Sequence, residues 1–576
     1  MADGDAMSAG ASSSGLERLI EIGLALSAER NHDRLTERIL LEAMDITNAD
    51  GGTLYLRTDD DALKFVIMRT NSLNIAMGGT TGVPIPFPPV RMYNAETGKP
   101  NYNNVSAAAA LSKKAINIPD AYEAEGYDFS GTKKFDEGTG YRSKSFLCIP
   151  LLNYSDEVIG VLQLLNAKDS DGEVIAFSKE VQRTIEALAS QAAVAIDNQK
   201  LIEAQRALMD SLMKVMAHAI DAKSPYTSGH CQRVPELTKM LATKASEATE
   251  GPFADFKLDE TEWYELHVAA WLHDIGKVTT PEFVVDKATK LQTIYDRVHE
   301  VRMRFEILRR DAEIKMLKSI AKGKNARVER KKFKDRCQEL KEQWTFIADC
   351  NIGGEFMSQE KQDDVKKIGK QKWYRYFDRQ LGLSWTEAKL LEKAPPPEEG
   401  WEQLLANLPE HSEAEYDLGE ITNMCIQRGT LNDDERRKIN DHIVLTIEML
   451  NEMPFPKHLK RVPEYAGGHH EKIDGTGYPN KLTGEDMSWP AKMMAIADIF
   501  EALTAADRPY KKAKTLSESV KILWFMKKDK HVDSDLFNLF LNSGAYKDYA
   551  EQFLRPEQID EVDISKYVDP PAQAAE

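Results

Sequence analysis

Apolar residues recur at helical spacing from Leu16 to Ala43, with Leu19, Ile20, Ile22, Leu24 and Leu26 followed by Leu35, Ile39 and Leu40. That pattern predicts one amphipathic helix. The period then shortens. Gly52–Arg57, a turn at Thr58–Asp61 and Leu63–Met68 read as a β-hairpin. Two further strands are expected at Phe146–Leu152 and Val158–Leu165, joined by the turn Asn153–Glu157. Ser178–Ala222 contains neither Gly nor Pro and is expected to run as a single helix. Along it Leu188, Ala195, Ile202, Met209 and Met216 recur every seven residues, a heptad ladder that predicts a parallel coiled-coil dimer. Its companion positions Ala192, Gln199 and Arg206 are weak core residues.

Downstream, Trp263, Leu266, Ala270 and His273 share a helical face, with Gly276 placed as a C-cap. Asn432 and Glu435 mark a helix start, after which Ile439, His442, Ile443 and Ile447 share a face. Between these segments, Arg302–Glu342 shows Ile307, Ile314, Leu317 and Ile320 at helical spacing and predicts a helical hairpin around Gly323. Pro395–Gly400 is a rigid loop, and Arg555–Glu576 reads as an acidic, disordered end.

A chain of 576 residues is expected to hold two to four domains. Hydrophobic content of 42% and charged content of 29% are those of a soluble globular protein. The net charge of -18 argues against a general DNA or RNA binder. It leaves room for a small anionic substrate if metal ions supply positive charge locally. No apolar run reaches the length of a membrane span, and Met1–Ser14 reads as a flexible tail rather than a signal peptide. Cys148, Cys231, Cys337, Cys350 and Cys425 are scattered, which predicts neither a disulfide framework nor a zinc knuckle and fits a cytoplasmic setting.

The candidate chemistry concentrates in Gly468–Pro479, where His469 and His470 precede a glycine-rich turn. Such a turn can bend the backbone and aim both imidazoles at one point. Imidazole and carboxylate are ligands for borderline divalent cations. His273–Asp274 ends a buried stripe, His442 lies on another, and Asp498 sits inside an apolar run. His230 follows Pro225–Gly229 at the mouth of a further helix. Isolated buried charges are costly. Five histidines and two aspartates gathered from separate helices are therefore read as one di-metal site.

Gly140–Pro150, Val158–Asn166 and Ile116–Tyr122 resemble the GAF domains of cyclic-nucleotide phosphodiesterases. The resemblance implies an α+β sensor domain with a pocket expected near Asp120, Tyr141, Arg142 and Asn166 and an unknown small ligand. Ala167 and Lys179–Glu180 depart from that family's ligand signature. The pair His273-Asp274, with Lys277 after it, and Gly477-Tyr478-Pro479 resemble the HD-GYP phosphodiesterases, as do Asp221–Val234 and Asp498–Tyr510. That resemblance implies an all-α catalytic domain with two divalent ions, iron or manganese, that hydrolyses cyclic di-GMP to pGpG and/or GMP. It implies one ion on His230, His273, Asp274 and Asp498 and a second on His442, His469 and His470, with Asp274 bridging. Tyr226 stands where three-metal members carry glutamate, so two ions are expected. His273, Asp274 and Lys277 are the implied catalytic residues; Lys277, Gly475, Gly477, Tyr478, Pro479 and Arg508 are the implied substrate contacts.

The expected organisation is multidomain. A tail over 1–14 precedes a GAF domain over 15–178 and a linker helix over 179–222. The catalytic domain comprises 206–290 and 419–555, interrupted by a helical insertion over 291–418, and an acidic tail spans 556–576. Partners expected are a cyclic dinucleotide and a second copy of the chain. The alternatives are a cyclic GMP-AMP-selective phosphodiesterase, another HD-type nucleotide hydrolase, which the complete Gly-Tyr-Pro loop disfavours, and a non-catalytic cyclic-dinucleotide receptor.

Overall fold

The computed structural model describes residues 18–223, 229–354, 356–391, 395–407, 416–506 and 513–569. The chain divides into two compact units, Met1–Met209 and Asp210–Glu576.

In the first unit, the predicted opening helix is two. A helix over 18–28 (α1) stops, and Asn31 caps a second, α2 (His32–Thr47), by accepting from the Arg34 backbone N–H. An asparagine at that position competes for the backbone and starts a new helix instead of continuing the old one. An antiparallel sheet follows from β1 (Ala49–Arg57), β2 (Ala62–Thr70), β3 (Ile75–Gly78), β4 (Val90–Arg91), β5 (Ile116–Ile118), β6 (Phe146–Leu152), β7 (Val158–Lys168) and β8 (Val174–Ile175). Its main order is β3-β2-β1-β7-β6-β5, with β4 beside β2 and β8 beside β7. Both faces are covered. Leu54 and Leu56 of β1 pack with α1, α2 and the long helix α5 (Lys179–Lys223), whereas Tyr55 points into the opposite core beside α3 (Val105–Ser112). The period-2 geometry of a strand produces this split. Helix α4 (Ser130–Thr139) lies between β5 and β6 in the chain.

Helix α5 runs unbroken as predicted. Of the expected ladder, Leu188 is fully buried in the first core, while Ile202 and Met216 are exposed beside a seven-residue row of Val194, Leu201, Leu208 and Val215. The sheet claims the start of the ladder, and the later positions stay on the outward side.

The second unit contains α6 (His230–Glu247), α7 (Glu260–Leu272), α8 (Glu282–Val285), α9 (Val298–Ala321), α10 (Ala326–Asn351), α11 (Gln359–Gly369), α12 (Trp385–Leu391) and α13 (Glu420–Met424). It continues with α14 (Asp433–Glu452), α15 (Val462–Gly467), α16 (Trp489–Thr504), α17 (Leu516–Lys528), α18 (Ser534–Asn542) and α19 (Ala545–Phe553). Its main core joins Leu237 and Leu241 of α6 to Ile496 and Phe500 of α16 and to Phe537 and Tyr549 beyond. Val562, Ile564, Tyr567 and Val568 pack against the same core, so the stretch 556–569 is ordered where disorder was expected. Apolar residues spaced among the acidic ones are enough to dock it.

The segment between α8 and α14 has a core of its own, built from Phe305, Leu340, Ile347, Val365 and Leu404. Helices α9 and α10 form the expected hairpin, with Gly323 in the left-handed region at the turn. The buried face of α9 is Val301, Phe305 and Leu308, whereas Ile314 and Leu317 are exposed. A small antiparallel sheet, β9 (Lys372–Arg375) with β10 (Gly400–Gln403), adds strand to a segment expected to be helical. A half-buried Arg304–Glu420 ion pair joins α9 to α13 within this segment, and a buried Lys287–Glu435 pair ties the segment to α14. Among the described residues no helix is long and apolar enough to cross a membrane.

Candidate metal centre

Each histidine of the centre is delivered by the end or the inward face of a helix. His230 opens α6 behind Gly229, whose positive φ turns the chain into the helix. His273 and Asp274 close α7, and a 3-10 turn over Ile275–Thr279 carries Lys277. The capping box of Asn432 and Glu435 starts α14, which presents His442. His469 and His470 follow α15, and Asp498 lies on α16.

Gly276 is not the C-cap expected of it. A Cβ there would lie 1.9 Å from the His442 carbonyl oxygen, and its N–H donates to Thr446 Oγ1 at 2.9 Å. Only glycine lets the turn after α7 press against α14, and that contact brings Asp274 to His442.

The structure brings all seven predicted residues together in two groups, His230, His273, Asp274 and Asp498, and His442, His469 and His470. His230 Nε2 is 3.2 Å from Asp274 Oδ2 and 3.3 Å from Asp498 Oδ1. His273 Nε2 is 3.1 Å from Asp274 Oδ2, and His442 Nε2 is 3.4 Å from Asp274 Oδ1. Asp274 thus touches both groups, one oxygen to each. His442 Nε2 and His470 Nε2 approach to 3.2 Å.

The opposite ring nitrogens are tethered. Nδ1 of His273, His442 and His469 faces the carbonyl oxygen of Ala270, Ile439 and Ala466 respectively. His230 Nδ1 is bonded to Glu501, which also pairs with Arg233. A tethered Nδ1–H fixes the tautomer and leaves Nε2 as an aimed lone pair. His273 Nε2, His469 Nε2 and Asp274 Oδ1 are buried without a hydrogen-bond partner. Orphaned polar atoms of this kind demand a ligand, and buried imidazole and carboxylate atoms in both groups fit cations.

The electrostatics agree. Burial and the neighbouring His470 and His273 hold His469 far below the usual imidazole range, and burial brings His470 down to about 4. Both are therefore neutral lone-pair donors at pH 7. Burial alone would raise the Asp274 and Asp498 carboxyls, but the Lys277 and histidine charges beside Asp274 and the His230 bond to Asp498 outweigh it and keep both ionised. Lys277 Nζ lies 2.6 Å from Asp274 Oδ2.

The turn after His470 is shaped by its glycines. Gly475 has a positive φ, and a Cβ on Gly477 would lie 2.3 Å from the Lys472 nitrogen. Glu471, buried, accepts from the backbone of Asn480 and Leu482 and pins the far side of the loop. Tyr478, followed by a cis bond to Pro479, stacks on His470 at 4.9 Å between centroids and 15° between planes. One face of that ring is thereby taken by the histidine. Sequence reasoning missed Glu471 and Glu501. The only local signal for Glu501 is its position three residues after Asp498, on the same face of α16. Arg508 and Tyr226 lie outside the described residues.

In the first unit a cavity of about 210 Å³ is lined by Tyr55, Phe65, Phe87, Phe135, Tyr141 and Gln163 among others, none of them charged. Of the four residues expected there, Tyr141 alone lines it. Asn166 is structural, holding the backbone N–H groups of Lys144 and Ser145 and the Arg142 carbonyl. Arg142 lies over the Tyr122 ring and near Asp120.

Residues 31–196 match the GAF domain family, and residues 391–536 match the HD domain family. The chain carries a GAF domain and an HD domain. The HD match takes in His442, His469, His470 and Asp498, while His230, His273 and Asp274 join them only through the fold. A 3'3'-cGAMP-specific phosphodiesterase 1 of Vibrio cholerae is 38% identical over 135 residues, 23% of this chain and 30% of that protein. A second such phosphodiesterase from the same organism, numbered 3, is 35% identical over 112 residues, 19% and 23% of the two chains. A cyclic di-GMP phosphodiesterase response regulator of Xanthomonas campestris is 31% identical over 148 residues, 25% and 34%. This chain therefore spans about a third or less of the length of each of these relatives.

Proposed function

We propose that this protein is a metal-dependent phosphodiesterase that hydrolyses cyclic di-GMP to pGpG and/or GMP under control of its GAF domain. The observation that carries the proposal is the convergence of the His230, His273 and His442 Nε2 atoms on Asp274 and Asp498, beside His469 and His470, while the Nδ1 atoms of His230, His273, His442 and His469 are tethered outward. We assign His230, His273, Asp274 and Asp498 as the residues that would hold one cation and His442, His469 and His470 as those that would hold a second, with Asp274 offering an oxygen to each group. The mixed imidazole and carboxylate set suits iron or manganese.

Divalent ions held by these residues would supply Lewis acidity toward a phosphodiester oxygen and toward water near neutral pH. The side chains do the rest. Lys277, held cationic by Asp274 and Asp498 despite burial, places a positive charge at the edge of the centre, where it can balance charge building on the phosphorus oxygens. The turn Gly475–Pro479, closed by Gly477 and Glu471, sets the Tyr478 ring on His470, leaving the ring's other face for a nucleotide base. Arg508 would add a phosphate contact.

The uncharged aromatic wall of the GAF cavity fits a small neutral ligand better than a cyclic nucleotide, whose phosphate would meet no cation there. The exposed row Val194, Leu201, Leu208 and Val215 supports a homodimer through α5. Five free thiols fit a cytoplasmic protein.

A second reading has a specific observation behind it. Two of the relatives are 3'3'-cGAMP-specific, so a hybrid cyclic dinucleotide is the competing substrate. The test is metal content and turnover on one anaerobically purified sample, with cyclic di-GMP and cyclic GMP-AMP run side by side. Two ions per chain with linear product are expected, and the Asp274→Ala protein is expected to lose both metal and turnover while keeping its circular dichroism. Undiminished turnover by metal-depleted Asp274→Ala would sink the proposal. Binding without cleavage by the loaded parent would make the protein a receptor.

A further inference from the structure

The hairpin segment between α8 and α14 holds a second concave site, unrelated to the histidine cluster. A cavity of about 700 Å³ lies between the C-terminal half of α9 and the β9–β10 sheet. Ligand pockets of small molecules typically span about 300–1,000 Å³. One wall is basic. Lys315, Lys318 and Lys322 lie on one face of α9 and its end, and Lys324 follows the turn. All four are exposed, and none is ion-paired among the described residues.

The other wall is aromatic. Tyr374 sits opposite Trp401 across the sheet, with ring centroids 5.3 Å apart, and Tyr376 packs on Tyr374 at 4.7 Å. Trp401 is 66% exposed and Tyr376 71%. Lysines at the end of a helix are explained by the helix dipole alone. Solvent-facing Trp401 and Tyr376 rings, packed edge-on against Tyr374, are not, because burying them would be favourable. A second cavity, of about 390 Å³, shares Trp401 and Lys315 with the first and adds Lys332, Arg336 and Lys372.

We propose that this groove binds a nucleotide, its base stacked on Trp401 or Tyr376 and its phosphates on Lys315, Lys318, Lys322 and Lys324. Four lysines face only two carboxylates, Asp311 and Glu399, so the cavity selects an anion. Those two carboxylates can accept from sugar hydroxyls or exocyclic amines of the base. Base-on-aromatic stacking beside a cationic wall is the general chemistry of nucleotide capture without metal ions. The charge is local. Arg302–Glu342 carries fifteen basic and seven acidic residues in a chain of net charge -18.

The test titrates the full chain, in EDTA, with N-methylanthraniloyl-GTP and follows its anisotropy and energy transfer from tryptophan. Saturable binding that weakens with added salt is expected. Lys318→Glu with Lys322→Glu, both at exposed positions, should weaken it about tenfold or more, and Trp401→Ala roughly tenfold with loss of part of the energy transfer. Asp274→Ala should bind like the parent, since the histidine centre is not involved. Absence of saturation, or binding that ignores the lysine and tryptophan changes, would overturn the proposal. So would loss of binding in Asp274→Ala, which would place the nucleotide at the metal centre. A single-stranded oligonucleotide that binds far more tightly through the same lysines would show a nucleic-acid track instead.

Discussion

Gly276→Ala tests whether the contact between the turn after α7 and α14 sets the metal geometry. The added methyl would lie 1.9 Å from the His442 carbonyl oxygen and 2.8 Å from the Thr446 nitrogen, both backbone atoms that no rotamer change can move. Reaching ordinary contact at 3.4 Å requires α14 and the turn to part by about 1.5 Å. Overpacking of this kind costs about 1–3 kcal/mol of stability. The same displacement acts on the 3.4 Å approach of His442 Nε2 to Asp274 Oδ1, the link between the two groups of the centre. Misplacement of about 1 Å costs on the order of a hundredfold in rate. Gly276→Ala is therefore expected to fold, to melt a few degrees lower, and to lose roughly a hundredfold in cyclic-dinucleotide turnover with weakened metal uptake. Gly323→Ala is the control, because a Cβ there meets nothing within 4 Å although its φ is +85°. It should cost about 1–2 kcal/mol of backbone strain and leave turnover unchanged. Calorimetry, metal analysis by mass spectrometry and product chromatography on both proteins decide it. A folded Gly276→Ala protein with parental metal content and turnover would refute the reasoning.

Glu501→Gln keeps the shape of the residue but removes the charge opposite His230 Nδ1. Metal affinity should fall about 10–100-fold in a chelator competition, with little change in melting temperature. Lys287→Met strips the partner from Glu435, whose pair is 2% and 0% exposed at the two side chains. Thermal or urea unfolding should show a loss of about 3–5 kcal/mol, partly restored when Glu435→Gln is added. In the GAF domain, burial would raise the Asp50 carboxyl, but its bonds to Lys168, Ser72 and Tyr141 outweigh that and hold its pKa below the ordinary 3.8. The folded pKa is depressed, so this stabilisation is full above pH 3.8 and disappears as pH falls through the folded value. Acid unfolding of Asp50→Asn should therefore be shallower below pH 4 than that of the parent. Parallel acid curves would exclude the linkage.

Local pattern carries local structure, and much of this protein is local in that sense. The hairpin Ala49–Thr70, the strands Phe146–Leu152 and Val158–Lys168, the 45-residue helix α5 and the capping box at Asn432 are written in periods of two, in periods near 3.6 and in single capping residues. That the seven residues of the candidate metal centre should meet was legible for a related reason. A histidine or aspartate that ends an apolar stripe has nowhere cheap to go unless others meet it, and that argument needs no coordinates.

Tertiary packing decided the rest. Glu501 reads as an ordinary helical glutamate until α6 brings His230 across 271 residues of chain to its carboxylate. Gly276 reads as a helix end until α14 lies against it. Asn166 reads as a pocket residue, yet its amide is spent on the backbone of the Tyr141–Ser145 turn. The outward seam of α5, the buried face of α9 and the docking of the stretch 556–569 each depend on which neighbour claims which side of an amphipathic segment. Periodicity states that a face is apolar. The partner that covers it comes from distant chain, and only the fold brings that chain near.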